Sequence, residues 1–314
     1  MQGINTIAAL AAAVSRKHSM FRLGHARLGR KAGLMLAAIA AGLALSLPAH
    51  ADNPNKGKML KVAADVGLVP FFMRGTDGKM DGFSNDLTQE VAQRMGYDGA
   101  EVIDTPFSAI FAGLFSSRYD MVAAPTNTTQ ERAQQMLFAE PYMAGGLSFL
   151  AKKGATVNSL EDLKDKTIAV NNGSFSDRWL QENQEKYGYK IQRFNKNTDA
   201  VQAVAIGRAF ANMSETPLAR YIATKTPALA PVYDMTTEAN YAFAFRKDDT
   251  ALRNRVDEVL ECMKQDGSLS KLHVKWFGTE PNAGTAMTVV FPGYGAPDFP
   301  GYEPTEHTPD CSRP

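Results

Sequence analysis

Residues 119–132 read Y-D-M-V-A-A-P-T-N-T-T-Q-E-R. The apolar run that ends at Ala124 predicts a strand, and the polar residues after it predict a turn into a helix. Thr128 followed three residues later by Glu131 is a capping-box pattern, so we expect the helix to begin beside Arg132. The free N–H groups of a helix N-terminus and the forked donors of a guanidinium both bind carboxylates well. This stretch therefore predicts a binding site for a small anion at the end of a strand.

The N-terminus has the pattern of an export signal. The first 51 residues contain six Lys or Arg and no Asp or Glu, and an apolar run covers Gly33–Leu47 before P-A-H-A. A basic segment, an apolar segment and a small-x-small end predict a signal peptide cleaved after Ala51. The alternative, a membrane anchor, needs about 20 apolar residues, and this run is shorter. We therefore expect the mature protein to begin at Asp52 and to be soluble in the periplasm.

The charge balance of the exported part argues against several classes of partner. Without its first 51 residues the chain keeps 28 basic against 33 acidic residues, a net charge of −5. An acidic protein without a basic, aromatic-rich patch is not expected to bind nucleic acid. His273 and His307 are the histidines of this part, and no His and Cys cluster has the spacing of metal ligands. We expect no metal and no cofactor.

Both cysteines of the chain, Cys262 and Cys311, lie in the exported part. An even number of cysteines in an oxidising compartment predicts one disulfide, and two free thiols are the alternative. Such a bond would close a loop of about 50 residues and stabilise the protein by about 4 kcal/mol in the loop-entropy model.

Short apolar segments alternate with helical ones, which predicts α/β sandwiches with largely parallel sheets in two modest domains. We expect strands near residues 60–64, 100–103, 121–124, 167–170, 190–194 and 210–213, and helices near residues 85–95, 108–116, 176–187, 200–206 and 218–224. Tyr241–Phe245 is apolar again and leads into a helical closing segment, Asp248–Gly278. The tail Thr279–Pro314 has seven Pro and four Gly without periodicity, so it is predicted to lack a core of its own.

Seven motifs in this order resemble the periplasmic solute-binding proteins of polar amino-acid ABC transporters, the bacterial extracellular solute-binding proteins of family 3. They are L-K-V-A-A-D-V-G-L-V-P-F-F from Leu60, D-G-K-M-D-G-F-S-N-D-L from Asp77, P-F-S-A-I-F-A-G-L from Pro106, the opening motif from Tyr119, L-E-D-L-K-D-K-T-I-A-V-N-N-G-S from Leu160, S-E-T-P-L-A from Ser214, and G-S-L-S-K-L-H-V-K-W-F-G from Gly267. The resemblance covers nearly all of Lys58–Gly278.

The resemblance implies a two-lobed periplasmic-binding-protein fold of type II, with two α/β domains joined by two hinge strands. Lobe one would comprise residues 52–142 plus 241–281, lobe two residues 143–240, and the tail residues 282–314. The hinges would lie near residues 142–146 and 238–242.

The resemblance also assigns roles to residues in lobe one. Arg132 matches the arginine that holds the ligand α-carboxylate, and a solvated surface arginine is the alternative. Asn127 stands where the family has Ser or Thr donating to the same carboxylate. Pro125 would offer its carbonyl to the ligand ammonium, because proline keeps its C=O while lacking an N–H. Asp65, Leu68 and Phe107 match positions that line the side-chain pocket, although Asp65 could instead only support its loop.

In lobe two, Glu215 falls where the family has an Asp that pairs with the α-ammonium; a helix-dipole acid is the alternative. Gly173 and Ser174 match a pair that contacts the carboxylate from a second helix N-terminus, a role compatible with plain N-capping. Phe175 and the neutral amide of Asn171 complete this loop, and Asn171 suits a ligand without a second strong charge. We expect Tyr142, Trp179 and Trp276 to be core or hinge residues.

The sequence thus predicts a monomeric binding protein, not an enzyme, that captures an L-amino acid or close analogue and delivers it to an inner-membrane ABC permease. One alternative is a cyclohexadienyl dehydratase-like lyase on the same fold, with Asp177 near its catalytic loop. Another is a periplasmic ligand sensor without transport. Against the lyase, Glu215 offers a partner for an ammonium, and the polar loop around Asp177 does not favour a carboxyl with a raised pKa.

Overall fold

The computed structural model describes residues 53–312, so the predicted signal peptide lies outside the described residues. The strands are β1 (Met59–Ala64), β2 (Met73–Arg74), β3 (Met80–Asp81), β4 (Gly99–Asp104), β5 (Met121–Asn127), β6 (Leu137–Phe138), β7 (Met143–Ala144), β8 (Leu147–Lys152), β9 (Thr167–Asn171), β10 (Lys190–Phe194), β11 (Ala211–Glu215), β12 (Leu229–Met235) and β13 (Asn240–Phe245). The α-helices are α1 (Phe83–Arg94), α2 (Phe107–Phe115), α3 (Gln130–Gln135), α4 (Phe175–Tyr187), α5 (Asn197–Ala205), α6 (Thr216–Lys225), α7 (Thr250–Gln265) and α8 (Ser268–Phe277).

The strands form two large sheets, one for each lobe of the α/β fold. The first has the order β4-β1-β5-β13-β6 with β7 also paired to β13, and the second has the order β10-β9-β11-β8-β12. In each sheet three neighbouring strands are parallel, β4-β1-β5 in the first and β10-β9-β11 in the second. β13 is antiparallel to β5, and β8 is antiparallel to both β11 and β12. The prediction of largely parallel sheets was wrong at these strands, because they carry the chain into and out of each sheet.

The strands and helices arise where the apolar pattern indicates them. The first helix buries Phe83, Leu87 and Val91, four residues apart, which is the spacing of one helical face. It packs against β4 and the closing helices α7 and α8. β5 is buried at every position, as expected for a strand covered on both faces. No helix among the described residues is both long and apolar enough to cross a bilayer.

The chain crosses between the sheets twice, and the crossings lie side by side. β7 pairs with the start of β13, with Met143 opposite Tyr241 and Ala144 opposite Asn240. The Gly145 N–H then donates to the Ala239 carbonyl at 3.0 Å. A Cβ at Gly145 would overlap that carbonyl oxygen, so the two crossing segments approach as closely as they do because this residue is glycine.

The predicted capping box at the start of α3 was wrong by one residue. Thr128 still belongs to the sheet edge, because both its N–H and its hydroxyl donate to the Asn240 carbonyl. The helix therefore begins after Thr129, whose hydroxyl accepts the Arg132 N–H at 3.2 Å. Glu131 does not close a box but forms an ion pair with Arg178 of the second lobe.

The closing segment is two helices rather than one. α7 ends at Gln265 and α8 begins at Ser268, with Gly267 between them in the left-handed region at φ 75°. Glycine adopts this conformation without the steric cost that a side chain brings, so it turns the chain here.

The Pro- and Gly-rich tail packs along α7 through buried polar groups. Arg253, fully buried, donates to the Gly301 carbonyl at 2.9 Å and pairs with Glu303 at 2.7 Å. Farther along α7, Lys264 pairs with Glu140 at 2.8 Å and donates to the tail carbonyl of Val289 at 2.9 Å. The tail therefore completes the hydrogen bonds of charged groups buried under it, in addition to covering apolar surface.

The predicted disulfide is present between Cys262 on α7 and Cys311 in the tail, with their Cα atoms 5.6 Å apart. It fixes the far end of the tail to the helix that the tail covers. The tail is therefore fastened covalently along the closing segment.

We predict that replacing both cysteines, Cys262→Ser with Cys311→Ser, lowers the melting temperature by roughly 10 °C. The loop-entropy model assigns about 4 kcal/mol to a loop of this length, and each kcal/mol shifts Tm by about 2–4 °C in a domain of this size. Calorimetry with and without dithiothreitol measures it. Reductant should lower the wild-type Tm to that of the double variant and leave the variant unchanged, whereas a wild-type Tm insensitive to reductant would contradict the prediction.

Candidate functional site

Loops at the carboxyl ends of strands from both sheets meet between the lobes. In sheets with parallel strands, the carboxyl ends of the strands are where ligands bind. β5 leads through Thr129 into α3, β9 leads through Ser174 into α4, and β11 leads through Glu215 into α6. Each connection places a helix N-terminus, with its free N–H groups, at the same edge as the strand end.

A cavity lies where these loops converge. It has about 380 Å³ of space between atoms. Ion pairs across it, Arg178 with Glu131 and Lys196 with Asp65, show that the lobes are closed onto each other. The cavity is lined by Leu68, Phe107, Pro125, Asn127, Asn171, Ser174, Phe175, Ser176, Asn197, Met213, Ser214, Glu215 and Leu218.

Arg132 lies directly behind the lobe-one wall of this cavity and is 9% exposed. Its Nη1 donates to the Asn127 carbonyl at 3.0 Å, which engages one of the five N–H donors of a guanidinium. Its guanidinium carbon is 5.6 Å from the ring centre of Phe107 and 5.2 Å from that of Phe111. Two aromatic rings thus hold the cation in place at the cavity.

Burial lowers the pKa of Arg132 to about 10, and the carboxylate of Glu215 partly offsets that effect. Arg132 is therefore protonated at neutral pH, in a setting where its charge is poorly solvated. A cation of this kind gains more from an anionic partner than a solvated surface arginine does.

The lobe-two wall is built on the start of α4. The Ser174 hydroxyl accepts the Asp177 N–H at 3.1 Å and caps the helix. Asp177 in turn accepts the Gly173 N–H at 3.0 Å and pairs with Arg193 at 2.9 Å. Gly173 has φ 75°, and a Cβ there would lie 3.1 Å from the Ser108 Cα of lobe one. A larger residue at Gly173 would push the two lobes apart at this point.

Glu215 enters the cavity from the opposite lobe to Arg132. It ends β11 and occupies the N-cap position of α6. Burial raises the pKa of its carboxyl above the ordinary 4.5, although its own backbone N–H, Arg132 and the Ser176 hydroxyl act in the opposite direction. Its carboxyl also lies near the Tyr241 hydroxyl, whose pKa is raised by burial and then by Glu215.

Buried polar atoms without a hydrogen-bond partner are concentrated at this cavity. Five of the lining residues carry such an atom: Asn127 Oδ1, Asn171 Oδ1, Ser176 Oγ, Asn197 Nδ2 and Ser214 Oγ. An unpaired buried polar atom costs free energy, so a surface with several of them suits a ligand that supplies both donors and acceptors.

Asp65 is fully buried behind the wall and does not line the cavity. Its Oδ2 accepts the Phe107 N–H at 3.1 Å and the Asn171 side-chain amide at 3.0 Å. Its Oδ1 lies 2.8 Å from the Lys196 ammonium. Two of these three partners, Asn171 and Lys196, belong to lobe two.

The structure brings most of the predicted site residues together. Seven of the ten line the cavity, namely Leu68, Phe107, Pro125, Asn127, Ser174, Phe175 and Glu215. The other three, Asp65, Arg132 and Gly173, contact lining residues from behind. Tyr142 is fully buried near the crossing strands, and Trp179 packs against the core of lobe two.

Sequence reasoning missed some lining residues. Met213 and Ser214 directly precede Glu215 on β11, and Leu218 follows it by three residues, so the position of Glu215 was a usable signal for all three. Asn197 opens α5, and its place at the cavity depends on the way that helix packs in lobe two. No group of three or more His, Cys, Asp or Glu side chains within residues 53–312 could hold a metal ion.

The sequence and the fold are similar to those of known proteins. Residues 60–279 match the family model of the bacterial extracellular solute-binding proteins, family 3. The L-cystine-binding protein TcyJ of Escherichia coli (strain K12) is 30% identical over 263 residues, which cover 81% of this chain and 98% of that protein.

Solved structures agree with this match. An ancestral arginine-binding protein bound to arginine is similar with a TM-score of 0.67 and 31% identity, covering 70% of this chain and 98% of the other. The ancestral amino acid-binding protein AncCDT-1, a precursor of cyclohexadienyl dehydratase, is similar with a TM-score of 0.63 and 33% identity over 70% of this chain and 95% of the other.

We predict that Glu215→Gln raises the Tm of the ligand-free protein at neutral pH. Burial raises the pKa of the Glu215 carboxyl in the folded state. The carboxyl therefore costs no stability below the unfolded-state pKa near 4.5, and it destabilises the folded protein increasingly as pH rises through the folded-state pKa. The gain on replacement should therefore be absent at pH 4 and present at pH 8. Thermal denaturation across this range measures it. Glu182→Gln, on the surface of α4, is the control, and an equal gain for both variants would contradict the prediction.

Proposed function

The chain belongs to the bacterial extracellular solute-binding proteins of family 3, and we propose that it captures one L-amino acid between its two lobes for delivery to an ABC transporter permease. One observation carries the proposal. A buried cation of lobe one, Arg132, lies directly behind the wall of the cavity that the partly buried carboxyl of Glu215 lines from lobe two, and each influences the pKa of the other. A zwitterion placed between them supplies an opposite charge to both.

The carboxylate of the ligand would bind at the lobe-one end. Arg132 has further N–H donors beyond the one bonded to Asn127, and a carboxylate matches the guanidinium fork in a bidentate pair. From lobe two, the N-terminus of α4, which begins directly after Ser174, favours a negative charge. Asn127 lines the same cavity, and its side-chain amide would complete the carboxylate pocket.

The ammonium would bind at Glu215. Burial alone favours the neutral carboxyl, and an ammonium at hydrogen-bond distance favours the charged form. Pro125 can add its carbonyl as a second acceptor from lobe one. An amino acid held at its carboxylate without such a partner would leave a buried unpaired ammonium, which costs several kcal/mol.

Ligand would bind first to lobe one and then be enclosed. Arg132, Phe107 and Asn127 belong to lobe one, whereas Ser174 and Glu215 reach the ligand from lobe two. Because the lobe-two contacts exist only in the closed form, ligand shifts the population toward closure. The crossing strands, near residues 142–146 and 238–242, serve as the hinge between lobe one (52–142 plus 241–281) and lobe two (143–240).

We place the protein in the periplasm as a soluble monomer, exported by the signal at residues 1–51. Family members are extracellular, and the cationic N-terminus with its apolar run fits a cleaved signal. A permease in the inner membrane would recognise the closed, ligand-bound form.

We propose that the protein is not an enzyme. Asp177, the carboxyl nearest to a catalytic position in the lyase alternative, is paired with Arg193 and holds the Gly173 N–H. Asp177 also does not line the cavity, so it is not placed to donate a proton to a substrate bound there. Incubation with prephenate or arogenate should give no aromatic product by absorbance, and steady turnover would contradict this proposal.

A screen of the twenty L-amino acids and their D-enantiomers tests the binding function. At least one L-amino acid should raise Tm, because a ligand at about 100 times its Kd adds about 2.7 kcal/mol, and its D-enantiomer should raise Tm less. Arg132→Ala should weaken binding of that ligand by about 100-fold or more in calorimetry, since removal of one partner of a buried charge pair costs about 2–5 kcal/mol.

Two further variants guard this test. Arg118→Ala removes an exposed arginine of lobe one and should bind as the wild type does. Arg132→Lys keeps the charge but lacks the fork, and should fall between wild type and Arg132→Ala. Unchanged affinity in a folded Arg132→Ala protein, judged by near-UV circular dichroism, would refute the role given to Arg132.

A further inference from the structure

Lys196 of lobe two reaches two carboxylates of lobe one. It occupies the N-cap position of α5, and its Nζ lies 2.8 Å from Asp65 Oδ1 and 2.6 Å from Asp104 Oδ1. The two aspartates lie at the carboxyl ends of neighbouring parallel strands, since Asp104 ends β4 opposite Ala64 of β1 and Asp65 directly follows Ala64. One ammonium from the second lobe therefore bridges two acids at the edge of the first sheet.

This bridge lies directly behind the cavity wall. Asp65 is fully buried and holds the Phe107 N–H and the Asn171 side-chain amide, and both of those residues line the cavity. Without Lys196, the carboxylate of Asp65 would be a buried charge without a cationic partner, directly behind the residues that line the cavity. Burial opposes the charge of Lys196, but its bonds to Asp104 and Asp65 outweigh that effect and raise its pKa, so it is charged at neutral pH.

The remaining lining carries little charge. Among the residues that line the cavity in the described part of the chain, Glu215 is the one with a formal charge. In the proposed function that carboxylate binds the α-ammonium. The rest of the wall is apolar or neutral and includes Leu68, Phe107, Phe175, Met213 and Leu218 as well as serine and asparagine side chains.

A charged ligand side chain would therefore lack a partner in the closed cleft. A second ammonium or guanidinium would need a carboxylate other than Glu215, and Asp65 is already neutralised by Lys196. A second carboxylate would lie in a cavity whose lining provides no cation besides the Arg132 behind it, which holds the α-carboxylate. Enclosing such an unpaired charge costs about 3–5 kcal/mol, or about 100-fold or more in affinity.

We propose that the cleft takes L-amino acids with uncharged side chains, and that Lys196 determines this specificity by neutralising Asp65 from the opposite lobe. This inference rests on the proposed function. Lys196 does not contact the ligand in this arrangement. It is a positioning residue that acts through Asp65 and Asn171.

The first measurement is the specificity of the wild-type protein. Calorimetry with glutamine, serine, leucine, methionine, glutamate, lysine and arginine should show tight binding for an uncharged member. Arginine, lysine and glutamate should bind about 100-fold more weakly or worse. Tightest binding of arginine or lysine would overturn this inference while leaving the proposed function in place. Absence of binding by every amino acid would overturn the proposed function itself, and this inference with it.

The second measurement is the ratio of affinities in Lys196→Met. The variant loses an interlobe ion pair, so all ligands bind more weakly. This common loss cancels when the affinity for the best uncharged ligand is divided by the affinity for arginine. Freed from Lys196, Asp65 can pair with a cationic side chain, and the ratio should shift toward arginine by about 10-fold or more, which corresponds to about 1.4 kcal/mol. Lys190→Met, an exposed lysine of the same lobe, is the matched control and should keep the wild-type ratio.

A double variant separates the role of Asp65 from general damage. Lys196→Met with Asp65→Asn removes the freed carboxylate, so the ratio should return toward the wild-type value. Lys196→Gln provides a second form of the single variant that keeps a polar side chain. If both folded single variants keep the wild-type ratio, or if Asp65→Asn fails to restore it, Lys196 does not set specificity through Asp65.

Discussion

Arg132, buried behind the cavity wall of lobe one, and Glu215, partly buried and lining the cavity from lobe two, are charged groups brought together by the closed lobes. Burial lowers the pKa of the guanidinium to about 10 and raises the pKa of the carboxyl, so neither group is well solvated when the lobes are closed. The charge of each group partly offsets the effect of burial on the pKa of the other. In the proposed function this opposed pair favours a zwitterion, because a molecule with both charges improves the surroundings of both groups at once, whereas a simple anion or cation improves only one.

Both lobes present their polar groups in the same way. A buried strand ends, and a helix begins close to its carboxyl end, after Thr129 in lobe one and after Ser174 and Glu215 in lobe two. The rigid sheets hold these loops in place, while the crossing strands at Gly145 and Ala239 provide a narrow connection between them. In the proposed mechanism, fixed contacts within each lobe would coexist with movement between the lobes.

The sequence indicated the parts of the site that short motifs encode. The family resemblance assigned seven residues that line the cavity, and they lie at or near the carboxyl end of a strand or at the start of a helix. The start of α3 was displaced by one residue, since adjacent threonines offer two equivalent caps and a bond from Thr128 to Asn240 decides between them. The bridge from Lys196 to Asp65 joins residues more than 100 positions apart, and local patterns contain no information about such a contact. For the same reason the polar network under the tail was not predicted.

The disulfide lies outside the part of the chain that connects the two lobes. The disulfide closes the segment from Cys262 to Cys311, which lies wholly after both crossings between the sheets. Neither crossing segment lies inside the closed ring. The cross-link therefore joins the tail to lobe one and does not restrain the orientation of lobe two. The cross-link that stabilises the fold and the segments that join the lobes are therefore different parts of the polypeptide.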